Sequence, residues 1–197
     1  MGRSREYDEE AVLAGAMHAF RRQGYAGVSV RDLEQATGLK AGSIYNSYRD
    51  KAGLFTAAFR HYNQAVLGRR IAEHAPEAAG LRGVRDLFIS LLHEPDGQSF
   101  GCLITNCAIE FGGGDAELPA EVGEGLRILA RLFADRLESA RRTGRLRSGV
   151  DPAVAALGLL ALYQGVLVLV RSGWDGQQIQ ALIDDALDRL EEPRDDR

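Results

Sequence analysis

Residues 24–55, GYAGVSVRDLEQATGLKAGSIYNSYRDKAGLF, hold two short helical patterns parted by a tight turn, then a cap and the start of a third helix. Ser29 stands directly before an apolar-periodic run, Val30, Leu33, Ala36 and Thr37, which makes it the N-cap of a helix of about two turns. Asp32 follows three residues later, where a capping box has Glu or Gln. Gly38 closes this helix as a residue that reaches positive φ at little steric cost, and Leu39 anchors the turn. Residues 40–48, KAGSIYNSY, form the second short helix, with Ile44 and Tyr48 four apart on an inward face. Asp50 then caps a long helix, about 51–74, whose apolar stripe is Leu54, Phe55, Ala58, Phe59, Tyr62 and Val66. Ahead of the pair lies an amphipathic helix over roughly 8–23, with Val12, Leu13, Ala16, Met17 and Phe20 inward and Gly24 at its end.

Two short helices joined by a tight turn are the layout of a helix-turn-helix unit, whose second helix lies in the DNA major groove. The outward residues of the second helix suit a groove: Lys40, Gly42, Ser43, Tyr45, Asn46 and Ser47, with no carboxylate among them. Small residues let the backbone approach closely, Ser, Asn and Tyr bond phosphate oxygens or base edges, and Lys supplies charge. Spacing alone also fits a helical hairpin whose exposed face is merely polar.

The run F-x-x-x-G-Y-x-x-x-S-V-x-D-L-x-x-A-T-G-L-x-x-G-S-I-Y-x-x-Y-x-x-K-x-x-L-F, from Phe20 to Phe55, resembles the N-terminal domain of TetR-family (tetracycline-repressor-like) transcriptional regulators. The resemblance covers about fifty N-terminal residues, and the rest of the chain agrees in length and helical character only. It implies an all-α homodimer: a helix-turn-helix DNA-binding domain at 1–50 and a helical effector-binding and dimerisation domain at 51–197. It further implies a repressor that leaves a palindromic operator when a small molecule binds. By the same resemblance Tyr45 and Lys51 meet phosphate, Gly42 and Ser43 open the groove-facing helix, and Ser29 caps its helix beside phosphate. With Arg31, Lys40 and Asn46 these complete the expected DNA-contact set. Two departures stand out: Asn46-Ser47 replaces the His-His or His-Tyr often seen there, and Tyr48 replaces Phe.

Charge is compatible with this reading. Residues 1–60 carry nine Lys and Arg against seven Asp and Glu, and the remainder fifteen against twenty-one. The acidic remainder disfavours nonspecific DNA contact, so binding relies on specific contacts and a dimer. The charged N-terminus, MGRSREYDEE, lacks the apolar stretch of a secretory signal, and with two cysteines the expectation is a reducing cytoplasm.

Residues 153–170, AVAALGLLALYQGVLVLV, contain no charge and reach the lower length of a membrane span. Gln164 inside the run, the ordinary Asp151-Pro152 helix start and the absence of a second such run favour a buried helix, apolar all round and covered on every side. Gly158, Ala161 and Gly165 form a small-residue stripe for close helix approach. With a last helix over about 176–191, this helix (about 152–171) supplies a four-helix dimer interface, which is where the resembled family dimerises.

Between the two ends lie helices over 82–93, 99–111 and about 119–143, with turns at Glu94-Pro95-Asp96-Gly97 and Gly112-Gly113-Gly114. Phe88, Cys102, Asn106, Glu110, Tyr163 and Gln164 are the candidate effector contacts, weighed against plain buried polar packing. Gly101-Cys102-Leu103 also resembles a segment of family members that sense electrophiles or oxidants, which makes Cys102 an alternative sensor. Four histidines without metal-ligand spacing, no serine nucleophile elbow and no phosphate-cradling glycine loop speak against an enzyme, a metal centre or a cofactor.

Overall fold

The N-cap signals in the sequence are met one by one. In the computed structural model, which describes residues 7–93, 101–112 and 119–193, Asp8 accepts from the amides of Glu10 and Ala11 and opens α1 (Glu9–Gly27). Gly24 interrupts α1 with φ 76° and ψ 170°, so the regular helix stops where the glycine was expected to stop it. Ser29 opens α2 (Val30–Thr37), which ends on Gly38 at φ 71°. After α3 (Ala41–Tyr48), Asp50 accepts from Gly53 N–H at 2.7 Å and opens α4 (Lys51–His61). Asp151 and Asp175 do the same for α9 (Pro152–Arg171) and α10 (Gly176–Asp188), Pro152 filling the first helical position. Between them run α5 (Gly68–His74), α6 (Gly80–Ile89), α7 (Leu103–Phe111) and α8 (Ala120–Arg142). Among the described residues there is no β-strand; Leu146 and Glu191 form an isolated antiparallel bridge.

The chain divides into two compact units, one of Met1–Gly68 with Cys102–Gly125, the other of Arg69–Gly101 with Leu126–Arg197. In the first, α1 packs on α2 and α4, with Phe20, Leu33, Ile44, Leu54, Phe59 and Ile104 fully buried. Rings of Phe20, Tyr25, Phe55 and Phe111 meet at centroid distances of 5.0–6.1 Å. In the second, Leu87, Phe88, Leu129, Phe133, Leu137 and Ile183 are fully buried, and the rings of Phe88, Phe133 and Tyr163, from α6, α8 and α9, meet at 5.3–6.1 Å. Half-buried Arg85 ties α6 to α10 through Asp184 and, at 2.6 Å, Asp188. Burial pulls its pKa down, but hydrogen bonds to the two carboxylates outweigh this and hold it above the usual arginine value.

Three expectations change. The long helix after Asp50 is not uniform: Tyr62–Leu67 is a π-helical stretch between α4 and α5. There Asn63 turns inward, and its Nδ2 donates to the Glu121 carbonyl at 2.9 Å, a contact that no apolar periodicity announces. The helix expected from residue 99 begins at Leu103 with Cys102 as N-cap; residues 99 and 100 and the turn at 94–97 lie outside the described residues, as do Gly113 and Gly114. Finally, α9 is covered on one side only. Ala156, Leu159, Tyr163, Val166 and Leu167 are buried, whereas Val154, Leu157 and Val168 are 69%, 67% and 45% exposed. A Cβ on Gly158 or Gly165 would meet nothing within 4 Å, so the small-residue stripe belongs to this open face. By length and composition α9 is apolar enough to cross a membrane.

Candidate nucleic-acid interface

The α2–turn–α3 unit is held by its own polar groups. Asp32 N–H donates to the Ser29 hydroxyl oxygen at 3.2 Å, and the Ser29 amide and hydroxyl donate to the Asp32 carboxylate at 2.8 and 2.6 Å. This is the reciprocal capping box with Asp in the place of Glu. The Ser29 hydroxyl and then its amide hold the Asp32 carboxyl below the usual carboxylate range. Because the single hydroxyl proton of Ser29 is committed to Asp32, donation from Ser29 to a phosphate requires that bond to break.

Lys40 gives α3 no side-chain cap; Glu34, on α2, supplies it, accepting from Ala41 N–H at 2.7 Å. Both acidic residues of the helix pair are thereby turned to internal work, and the carboxylate at the start of α3 complements the positive end of its dipole. On the inner side Ile44 and Tyr48 are buried. Gly42, Ser43, Tyr45 (47% exposed) and Asn46 lie outward, flanked by exposed Lys40 and Arg31. Ser47 is half-buried and accepts from the Tyr7 hydroxyl at 2.8 Å, which ties the start of the chain to α3. Lys51 holds its ammonium 4.7 Å from the centroid of the Tyr25 ring, a cation–π contact that keeps the charge at the N-terminal end of α4. Arg49, exposed in the turn from α3 to α4, has φ 72°, the one positive value on a non-glycine among the described residues.

The eight predicted DNA-contact residues thus lie along one short stretch of the chain, from the cap of α2 to the first residue of α4. The residues that position them, Tyr7, Glu34 and Tyr25, were not foreseen. With its side chains an α-helix is about 10–12 Å across, which a B-DNA major groove about 12 Å wide admits. The small and neutral side chains of α3 offer the groove both close approach and bidirectional hydrogen bonding.

The predicted effector contacts fall into separate groups. In the second unit the Phe88 and Tyr163 rings meet edge to face at 5.3 Å, with Phe133 5.8 and 6.1 Å from them, and Gln164 is half-buried beside Tyr163. In the first unit Asn106 and Glu110 direct their polar groups to the backbone of α1. Cys102 is buried with its sulfur 3.1 Å from the Tyr62 hydroxyl. The cysteine-sensor alternative is not favoured, because Cys102, the residue it rests on, is buried. The second cysteine, Cys107, is buried too, and burial, then Glu110 and Cys102, push its own thiol up to about 12. A reactive thiol needs the opposite surroundings.

Residues 78–185 match the family described as Tetracyclin repressor-like, C-terminal domain, and residues 12–58 match Bacterial regulatory proteins, tetR family. The chain belongs to the TetR family. TetR-family proteins are transcriptional regulators rather than enzymes. The chain is 32% identical over 181 residues to the HTH-type transcriptional repressor Rv1474c of Mycobacterium tuberculosis, covering 88% of this chain and 87% of that one. It is 33% identical over 164 residues to the uncharacterized HTH-type transcriptional regulator YezE of Bacillus subtilis, covering 80% and 81%. Among solved structures it is similar to a cysteine mutant of the TetR-family regulator CifR in complex with 26-base-pair operator DNA, with a TM-score of 0.79 and 25% identity over 96% of this chain and all of that one.

Proposed function

We propose that this TetR-family protein is a cytoplasmic homodimeric repressor that binds a near-palindromic operator and leaves it when a small molecule binds the second unit. The observation that carries the DNA-reading part is the outward face of α3, small and neutral between Lys40 and Lys51, with the neighbouring carboxylates engaged in capping. The CifR regulator of the same fold is bound to operator DNA, which supports this assignment. Tyr45, Lys40, Lys51 and Arg31 take phosphates and so position the head; Gly42, Ser43 and Asn46 face base edges and so read sequence. Ser29 contributes its cap and the helix start.

The open face of α9 supports the dimer. Val154, Leu157, Ala161 and Val168 are exposed at helical spacing, a continuous apolar strip of the kind that marks an interaction surface. Gly158 and Gly165 leave room on it for a second helix. Exposed Leu182 of α10 extends the same apolar character, so helices about 152–171 and 176–191 of two copies close a four-helix interface. A twofold pair then presents its α3 helices to half-sites about one DNA turn, roughly 34 Å, apart. For the effector, Phe88, Tyr163 and Gln164 supply aromatic faces and an amide in one unit, the composition of a small-molecule site. An effector releases the operator only by binding the DNA-incompetent arrangement more tightly.

A gel shift of the purified protein on the DNA flanking its own coding region, with binding selection on random duplexes in parallel, tests this. Tyr45→Ala serves as control. A salt-sensitive shift that the variant loses is expected. Failure of the wild-type protein to retain any duplex in either experiment overturns the DNA-binding assignment.

A further inference from the structure

The end of α7 converges on the break in α1. Glu110 accepts hydrogen bonds from two consecutive backbone amides beyond the break, Tyr25 N–H at 2.8 Å and Ala26 N–H at 2.6 Å, one on each carboxylate oxygen. One turn earlier, Asn106 donates from Nδ2 to the Arg21 carbonyl at 3.1 Å, on the other side of the break. The Phe111 ring stands 5.4 Å from Tyr25 and 6.0 Å from Phe55. These residues are 84 and 85 positions apart in the chain and none of the contacts is a local cap.

The break itself is shaped for the carboxylate. Gly24 has φ 76°, a conformation that side-chain-bearing residues rarely adopt, and a Cβ there would sit 2.9 Å from the Glu110 Oε2 atom, so the carboxylate would have to shift to make room. Successive amides released from a helix point the same way and cradle an anion; here the anion is the protein's own. The other side of Tyr25 faces the DNA-contact set, because its ring carries the Lys51 ammonium and meets Phe55 edge to face at 5.0 Å. One carboxylate on α7 therefore fixes the backbone of the residue on whose ring a phosphate-directed lysine rests.

We propose that Glu110, backed by Asn106, is the positioning residue that couples α7 to the DNA-reading head, so that displacement of α7 reaches Tyr25 through hydrogen bonds and Lys51 through the Tyr25 ring. This rests on the operator-binding reading above and assigns the route of its regulation. Coupling is reciprocal: whatever α7 does to DNA affinity, bound DNA must do to α7. No effector is needed to observe it.

The experiment is amide hydrogen exchange on the full-length protein with and without a saturating duplex that the wild-type protein has selected from random DNA. Glu110→Gln keeps the size of the side chain but sets an NH2 against one of the two amides. Two results are expected. Exchange at Tyr25 and Ala26 rises about tenfold or more in the variant, the scale of a lost charge-assisted bond. In the wild type the duplex changes exchange across Leu103–Phe111, and in the variant that change is lost although the duplex is bound. A merely structural role would lower the melting temperature and leave the duplex-dependent change in place. Persistence of the change in Glu110→Gln, or its absence from the wild type, overturns the proposal. If the variant is too unstable to saturate, Glu110→Asp, which keeps the charge but shortens its reach to the Tyr25 and Ala26 amides, is judged by the same two outcomes. Failure of the wild type to select any duplex overturns the operator-binding reading instead, and the coupling role falls with it.

Discussion

Replacing Gly42 by alanine should raise stability and weaken DNA binding together. Gly42 is exposed in the first turn of α3, and a Cβ there meets nothing within 4 Å. With no clash to offset, only the backbone effect is left: alanine loses less conformational freedom than glycine in a helix, by about 0.5–1 kcal/mol. At roughly 2–4 °C per kcal/mol for a chain of this length, the melting temperature rises by about 1–4 °C. In the proposed complex the same empty space is where the groove closes on α3. A methyl group forced into a close contact costs about 1–3 kcal/mol, which weakens binding by roughly five- to 150-fold. Gly15→Ala is the opposite case. Its Cβ would lie 2.1 Å from the Ala36 carbonyl oxygen at the α1–α2 crossing, so the backbone gain is overturned by a clash with main chain that has nowhere to move. Thermal denaturation gives the stability of both variants, and fluorescence anisotropy on a selected duplex at fixed salt gives the affinity. Wild-type affinity in Gly42→Ala would remove this turn of α3 from the groove, and a lowered melting temperature would refute the open-space argument.

Three further outcomes follow from the structure. Asp32 has its folded pKa below its usual 3.8 because Ser29 bonds the ionised form, so its contribution is intact above that value and is lost as pH falls through the lower folded one. Acid titration of stability should therefore be shallower below about pH 4 in Asp32→Asn than in the wild type, and equal slopes would show that the capping box does not favour the carboxylate. Cys107, buried and with its thiol pushed up to about 12, should resist iodoacetamide at neutral pH in the native protein and react fully in denaturant; rapid native labelling by mass spectrometry would contradict its burial. Leu157→Lys, on the open face of α9, should convert a dimer to a monomer in sedimentation while retaining the helical circular dichroism, and an unchanged dimer would place the interface elsewhere.

What the sequence discloses here is what is decided locally. Ser29, Asp50 and Asp151 announce their helices because a cap and its amides lie within three residues of each other. Gly24 and Gly38 likewise end helices on their own conformational terms. The outward face of α3 is legible because Ile44 and Tyr48 fix which side is buried. The supports are not legible: Tyr7 reaches Ser47 across 40 residues and Glu110 reaches Tyr25 across 85, and neither pair leaves a periodic trace. Glu110 and Asn106 read as polar residues in an apolar helix, the signature of a ligand site, whereas their polar groups close on α1. The π-helical stretch is invisible for a related reason. Tyr62 and Val66 keep the apolar spacing of an α-helix, and only the distant Glu121 carbonyl reveals that Asn63 is turned inward.

The uncovered strip on α9 makes copy number a physical variable. Val154, Leu157 and Val168 face outward from a single chain, so a second copy closing over them would draw part of the fold's stability from association, and that part grows with concentration. A cell holding few molecules would have both a less stable protein and, because two reading heads must arrive together, an occupancy that falls steeply with abundance. Dilution would then lift repression without any effector, and a chain made in excess would protect itself by finding its twin.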